Sequence, residues 1–348
     1  MSPSVSTSTP DTAATPAAPP PAPRTSLVPG LALCFGVAIV SMLVAPFIPG
    51  ISALIIAIVV GVVLANIVPM PAVLAPGIAV SSKKLLRAGI VLLGLQVVLG
   101  DLLSLGAGML GVVVAVVSLG ILGTIALGRV LGVGRPLTLL IACGFSICGA
   151  AAVAAASGVT DPEDENEADT LTAVALVVLC GTLMIAIVPS LAALMGLGEL
   201  QAGLWAGASI HEVAQVVAAG GALGGAALTV AVIVKLARVL MLGPVMAALS
   251  VQQRRQGVTE GKQPPLVPLF VLGFLAMVLV ASFVPLPAPV LEAGSLLQTL
   301  LLAAAMFALG TGVRAKLLTQ VGLRPFLLAA LSTVLVAGIA LGGVLLAA

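Results

Sequence analysis

Gly144-Phe145-Ser146-Ile147-Cys148-Gly149 and Gly207-Ala208-Ser209-Ile210-His211-Glu212 stand at an offset of 63 residues. The match runs on without a gap: Ala151, Val153, Ala155, Ala156 and Gly158 meet Ala214, Val216, Ala218, Ala219 and Gly221. Farther along, Leu171-Thr172 pairs with Leu228-Thr229, Leu183-Met184 with Leu240-Met241, and Pro189 with Pro244. A stretch of about sixty residues is therefore present twice in tandem. Apolar segments broken by glycine, with a few polar groups at matched positions, are the material of transporter binding sites.

Composition sets the class around this stretch. Apolar residues make up 61% of the chain and charged residues 7%, and the mean hydropathy is +1.31. A soluble domain so apolar could not cover its core with polar surface. The chain reads as an all-α polytopic membrane protein whose apolar runs are long enough to span. The net charge of +2 comes from residues scattered through short loops and does not point to nucleic acid. Cys34, Cys143, Cys148 and Cys180 lie inside apolar segments, so neither a disulfide framework, a metal site nor a cofactor is expected from them.

Residues 1–25 are rich in Pro, Ala, Ser and Thr and read as a disordered tail; 26–348 form one transmembrane domain. Eleven apolar segments follow, at roughly 29–49, 51–69, 86–103, 106–128, 137–158, 170–195, 203–220, 225–250, 266–285, 295–313 and 323–347. Arg24, Lys83, Lys84, Arg87, Arg129, Arg135, Arg254, Arg255, Lys262, Arg314, Lys316 and Arg324 all fall on one side of them. The positive-inside rule makes that side cytoplasmic and puts the N-terminus inside.

A second repeat encloses the first. Ala65-Asn66-Ile67-Val68-Pro69-Met70-Pro71-Ala72 matches Ala281-Ser282-Phe283-Val284-Pro285-Leu286-Pro287-Ala288 at an offset of 216. The same offset pairs Leu93-Gly94 with Leu309-Gly310 and Gly106 with Gly322. Two inverted, permuted five-segment units result: segments two to six, and nine, ten, eleven, seven, eight. If the fifth and seventh segments are re-entrant hairpins, every repeat pair is inverted; if they cross fully, those two run parallel. Both forms keep the basic loops on one side, so the sequence leaves them open, and with them the side of the acidic loop 161–169.

Away from the segment ends, few ionisable groups sit within the membrane: His211, Glu212, Lys235 and Arg238. A charge there costs about 2.5–3.5 kcal/mol on insertion scales, and such residues are functional by default. Lys235 and Arg238 share a helix face, and Glu212 can compensate only one of them. The cluster is then net positive and suits a small anionic substrate. Half-helix ends at Gly144, Ser146, Gly149, Gly207 and Ser209 would supply backbone N–H groups and hydroxyls to it. His211, or Glu212, could carry a coupling proton, with Gln215 one turn on facing the same cavity. Trp205 is expected in the interfacial aromatic belt, and Asn66 and Ser282 as helix caps.

The stretches Lys83-Lys84-Leu85-Leu86-Arg87-Ala88-Gly89-Ile90-Val91-Leu92-Leu93-Gly94, Ser146-Ile147-Cys148-Gly149-Ala150 and Leu204-Trp205-Ala206-Gly207-Ala208-Ser209-Ile210-His211-Glu212-Val213-Ala214-Gln215-Val216-Val217 resemble the YeiH family. Lys235-Leu236-Ala237-Arg238 fits the same pattern. The resemblance implies a bacterial inner-membrane secondary carrier, distantly akin to the bile-acid and arsenite transporters, that exports a sulfate- or sulfite-like anion. A homo-oligomer is compatible with it. Two other classes remain: an anion channel, and an intramembrane enzyme using Ser146 or Cys148 with His211. The absence of a Gly-x-x-x-x-Gly-Lys-Ser/Thr run argues against ATP-driven pumping.

Overall fold

The computed structural model describes residues 26–48, 51–161, 165–255, 269–312 and 322–347. The tail 1–25 and the loop residues Lys262, Arg314 and Lys316 lie outside them. Helix is the main regular structure of the described residues, with no strand among them, and six helical stretches are long and apolar enough to cross a membrane.

The first bundle is assembled from both ends of the chain. Its helices are α1 (Val28–Val44), α2 (Ala53–Ile67), α3 (Ala75–Val80) and α4 (Leu86–Leu93), with a π turn joining α3 to α4. A short α5 (Leu99–Ser104) leads into the second bundle: α6 (Gly106–Leu131), α7 (Arg135–Ser146), α8 (Ala150–Thr160), α9 (Glu167–Leu194), α10 (Glu199–Ser209), α11 (Val213–Leu223), α12 (Gly225–Leu240) and α13 (Leu242–Arg255). The chain then returns to the first bundle with α14 (Leu269–Phe283) and α15 (Ala288–Gly312). It ends in the second with α16 (Leu323–Ala347).

Local chemistry explains the boundaries. Ser52 caps α2, its Oγ accepting from the Ile55 N–H at 3.4 Å. Pro29 and Pro136 sit in the first turns of α1 and α7, where the missing N–H costs nothing. In the first bundle α2 and α15 cross where Gly61 meets Gly310, so that two backbones touch. In the second, α6 and α16 run antiparallel: Gly108 lies beside Ala347 and Gly132 beside Arg324. The bundles touch chiefly through α5 against α12 and α14, α9 against α15, and α13 against α14.

The fifth and seventh apolar segments are hairpins. Arg135 and Pro136 at the start of α7 line one cavity with Thr160 and Asp161 at the end of α8. The Asp169 carboxylate, at the start of α9, faces the backbone of Leu137. In the second hairpin Glu199, which opens α10, accepts from the N–H groups of Ala226 (3.0 Å) and Ala227 (3.3 Å), just past the end of α11. Each hairpin therefore leaves by the end at which it entered. Because α9 crosses the bundle between them, the two enter from opposite ends. Non-helical backbone at such depth is tolerated only where it is enclosed in protein or lines a cavity. The tips at 147–149 and 210–212 meet that condition. Ile147, Ile210 and His211 are 0% exposed.

Candidate functional site

The last carbonyls of a helix have no partner within it, and α7 and α10 both end inside the bundle. Two side chains of α12 take up these carbonyls. Arg238 donates from Nε to Ser146 O (3.2 Å) and from Nη2 to Phe145 O and Ser146 O (2.9 Å each). Its Nη1 reaches Ala208 O (2.8 Å), Ile210 O (2.9 Å) and Gly207 O (3.4 Å). Lys235 Nζ donates to Ile147 O and Ile210 O at 2.9 Å each, and to His211 O. Both cations are 0% exposed. Their burial is compensated by charge-assisted bonds and by the negative ends of two helix dipoles.

Backbone proximity makes this possible. A Cβ at Gly207 would lie 2.9 Å from Ala231 Cα, so α10 rests directly on α12. Ala231, Lys235 and Arg238 follow one helix face, which carries both cations to the tips.

The opposite polarity governs the N-termini of α8 and α11, and Glu212 serves both. Its Oε1 accepts from Ala150 N at 3.1 Å. Its carboxylate also takes the Gln215 N–H, while Gln215 Oε1 accepts the Glu212 N–H at 3.1 Å, a reciprocal capping box. Gly149, the repeat partner of Glu212, has φ +76°, and a Cβ there would overlap the Glu212 side chain. Glycine at 149 thus leaves room for one carboxylate between two helix ends. Gln215 is held in turn, its Nε2 donating to Val178 O of α9 at 3.4 Å.

His211 ties the tips sideways. A carbonyl can only accept, so its Nδ1 donates to Phe145 O at 3.1 Å, and its Nε2 meets Thr333 Oγ1 of α16 at 3.1 Å. The imidazole also packs on the Phe145 ring, with 4.5 Å between centroids.

The expected site residues converge, and the charged ones among them hold the helix ends. Gly144, Ser146, Gly149, Gly207, Ser209, His211, Glu212, Gln215, Lys235 and Arg238 all lie at or next to the tips. No ion pair joins Glu212 to either cation among the described residues, because unpaired carbonyls and N–H groups at the helix ends take the charges instead. The two serines are used unequally. Ser209 Oγ donates to Trp205 O at 2.7 Å, while Ser146 Oγ is buried against Gly120 with no hydrogen-bond partner. Trp205 is not in an interfacial belt: it is 3% exposed, and its Nε1 donates to Ala337 O at 3.0 Å. Asn66 Nδ2 donates to Val62 O at 2.7 Å in its own helix. Ser282 does cap, accepting from Leu99 N, near the start of α5, at 3.0 Å. Glu199 and Thr333 escaped the sequence reading. Glu199 follows a Gly and opens an apolar run, the usual place for a first-turn acid, and Thr333 is one of two adjacent hydroxyls, with Ser332, in a helix that is apolar past Arg324.

A cavity of about 560 Å³ separates the two bundles. Ser82, Lys83 and Arg87 line it from the first bundle, and Ser157, Glu167 and Thr170 from the second. Arg87 lies over the Phe270 ring, 5.7 Å from its centroid. The cavity extends along α8 to Ala154, one turn from Ala150 and the Glu212 carboxylate. Glu212 itself is partly exposed.

The profile of the family described as Conserved hypothetical protein 698 matches residues 29–329. A UPF0324 membrane protein of Corynebacterium glutamicum is 57% identical over 320 residues, covering 91% of this chain and 92% of that protein. One from Agrobacterium fabrum is 36% identical over 326 residues, 92% of this chain and 93% of its own length. Another, from Staphylococcus epidermidis, is 31% identical over 321 residues, 91% and 96% of the two chains. No solved structure matches.

Proposed function

The chain belongs to the family described as Conserved hypothetical protein 698, a group of multi-pass membrane proteins, and from that premise we propose that it is a secondary transporter of a small anion. One observation carries the reading. Two hairpins entering from opposite ends meet tip to tip, their four helix ends are held by Lys235, Arg238 and Glu212, and a cavity between two loosely joined bundles leads toward them. Broken elements meeting near midplane beside a cavity are how carriers build ion and substrate sites.

An anion fits the charge balance. Two cations against one carboxylate leave the crossing positive even with His211 neutral, and Lys83 and Arg87 line the approach. A sulfate- or sulfite-like oxyanion is the substrate that the YeiH resemblance suggests, and export is its direction. In this reading Lys235 and Arg238, with Gly144, Ser146, Gly207 and Ser209, form the frame of the site. The anion comes to the N-termini of α8 and α11, beside Gly149, where the Glu212 carboxylate now lies. Protonation of Glu212 releases those N–H groups, so a proton and an anion arrive together. His211 and Gln215 position the tip. The basic side is cytoplasmic, with the N-terminus inside the plasma membrane of a bacterium.

The hydrolytic alternative through Ser146 is disfavoured, because no base stands on that hydroxyl. The His211 nitrogens meet Phe145 O and Thr333, and Ser146 Oγ has no hydrogen-bond partner. The proposal is tested by measuring flux of labelled sulfate and sulfite in proteoliposomes across pH. Wild type should transport faster on the acidic limb, and Glu212→Gln should transport at a pH-independent rate. A pH profile unchanged by Glu212→Gln removes the coupling role, and no flux of either anion removes the substrate class.

A further inference from the structure

On the face of the second bundle a groove of about 790 Å³ runs between α6 and α13, floored by α7. Ser118, Leu122, Ile125 and Arg129 line it on successive turns of α6, with Pro244 and Ala248 facing them from α13. From Ser118 to Arg129 the helix rises about 16 Å, close to half of the ~30 Å hydrocarbon thickness of a bilayer. The slot is therefore as deep as one leaflet, apolar inside and basic at its mouth.

The mouth is where the chemistry is unfinished. Arg129 and Arg135 are both exposed, and neither has an ion pair or hydrogen bond among the described residues. Among the described residues Asp161 is the only acid lining the groove, and its carboxylate is spent on its own loop, accepting from Glu165 N at 3.0 Å and Asn166 N at 2.7 Å. Arg129 stands in the last turn of α6, where a cation suits the helix dipole, but Arg135 is the first residue of α7, where it does not. A cation at the positive end of a helix, beside a second cation, calls for an anion between them.

We propose that this groove binds an anionic phospholipid, with one acyl chain in the slot and the phosphate between Arg129 and Arg135. Guanidinium groups hold phosphate oxygens in a bidentate fork, and basic pockets between spans at the cytoplasmic face take anionic headgroups. A zwitterionic lipid brings its own cation to the two arginines and gains less. The site is separate from the hairpin tips and does not depend on what the protein transports.

The test is lipid retention by native mass spectrometry of the purified full-length protein, exchanged into detergent with dioleoylphosphatidylglycerol or dioleoylphosphatidylcholine. Wild type should keep the phosphatidylglycerol roughly ten- to thirtyfold better, the effect of two surface cations. The double variant R129Q/R135Q should lose that preference. Leu122→Trp, which fills the slot without touching a charge, should lower retention of both lipids. Equal retention of the two lipids by wild type overturns the proposal whatever the variants do. So does a preference that survives R129Q/R135Q, or displacement of the lipid by equimolar glycerol phosphate, which carries the headgroup charge without chains.

Discussion

Arg238 is the residue on which the crossing most depends. Its guanidinium reaches carbonyls of both tips, from Phe145 to Ile210. Lysine at this position keeps the charge but not the fork, and its three donors on one nitrogen cannot meet all five carbonyls that Arg238 holds. Each buried carbonyl left without a partner costs about 1–3 kcal/mol. Arg238→Lys should therefore lower stability by at least about 3 kcal/mol, seen as a clear fall in the thermal midpoint of the detergent-purified protein. An unchanged midpoint would mean that the carbonyls find other donors. Gly149 makes a second, independent test. Gly149→Ala puts a methyl group onto the Glu212 side chain at a φ that L-residues rarely adopt. A loss of about 1–3 kcal/mol is expected. Because part of the strain comes from that contact, Glu212→Ala in the same chain should restore that part and leave the backbone share. That the buried charges form one group was legible in the sequence, since so few ionisable residues interrupt the apolar runs. Their partners were not. Backbone carbonyls and N–H groups have no letter in a sequence, so a cation that caps two helices reads the same as one kept for a ligand. Trp205 was misread for a related reason: an indole with a buried acceptor and an indole at the bilayer interface satisfy the same hydropathy.

At the scale of elements, the two hairpins give the molecule its form. Their apolar periodicity and glycine tips were legible from residues 144–149 and 207–212, but their turning back was not. A re-entrant hairpin and a crossing leave the same hydropathy and the same basic loops, and only contacts such as Glu199 with Ala226 distinguish them. The hairpins make an accessibility prediction. In a background without native cysteines, Gly134→Cys and Asn166→Cys, which flank the first hairpin, should be labelled by an impermeant maleimide from the same side of the membrane. Gly198→Cys and Ala222→Cys, which flank the second, should both be labelled from the other side. Opposite labelling within either pair would mean that the segment crosses. In the proposed orientation, with the basic residues facing the cytoplasm, inverted vesicles should expose Gly134→Cys and Asn166→Cys.

For the molecule as a whole, the partition into two bundles is what hydropathy hides. Every span looks alike in an apolar sequence, and nothing in residues 86–103 announced that this segment is built from short helical pieces facing a cavity. Once the partition is known, the pieces agree. The broken, charge-compensated hairpins belong to one bundle, Lys83 and Arg87 belong to the other, and the cavity lies between them. In the proposed carrier a substrate would visit both bundles, which neither an enzyme with a fixed pocket nor a simple pore requires. Counterflow decides this most directly. Proteoliposomes preloaded with unlabelled sulfite or sulfate should accumulate the labelled anion transiently, and Ala154→Trp, which fills the cavity one turn from Glu212, should abolish the overshoot in a protein that remains folded. Labelled anion that only equilibrates without an overshoot, or an overshoot undiminished by Ala154→Trp, would contradict a carrier working through this site.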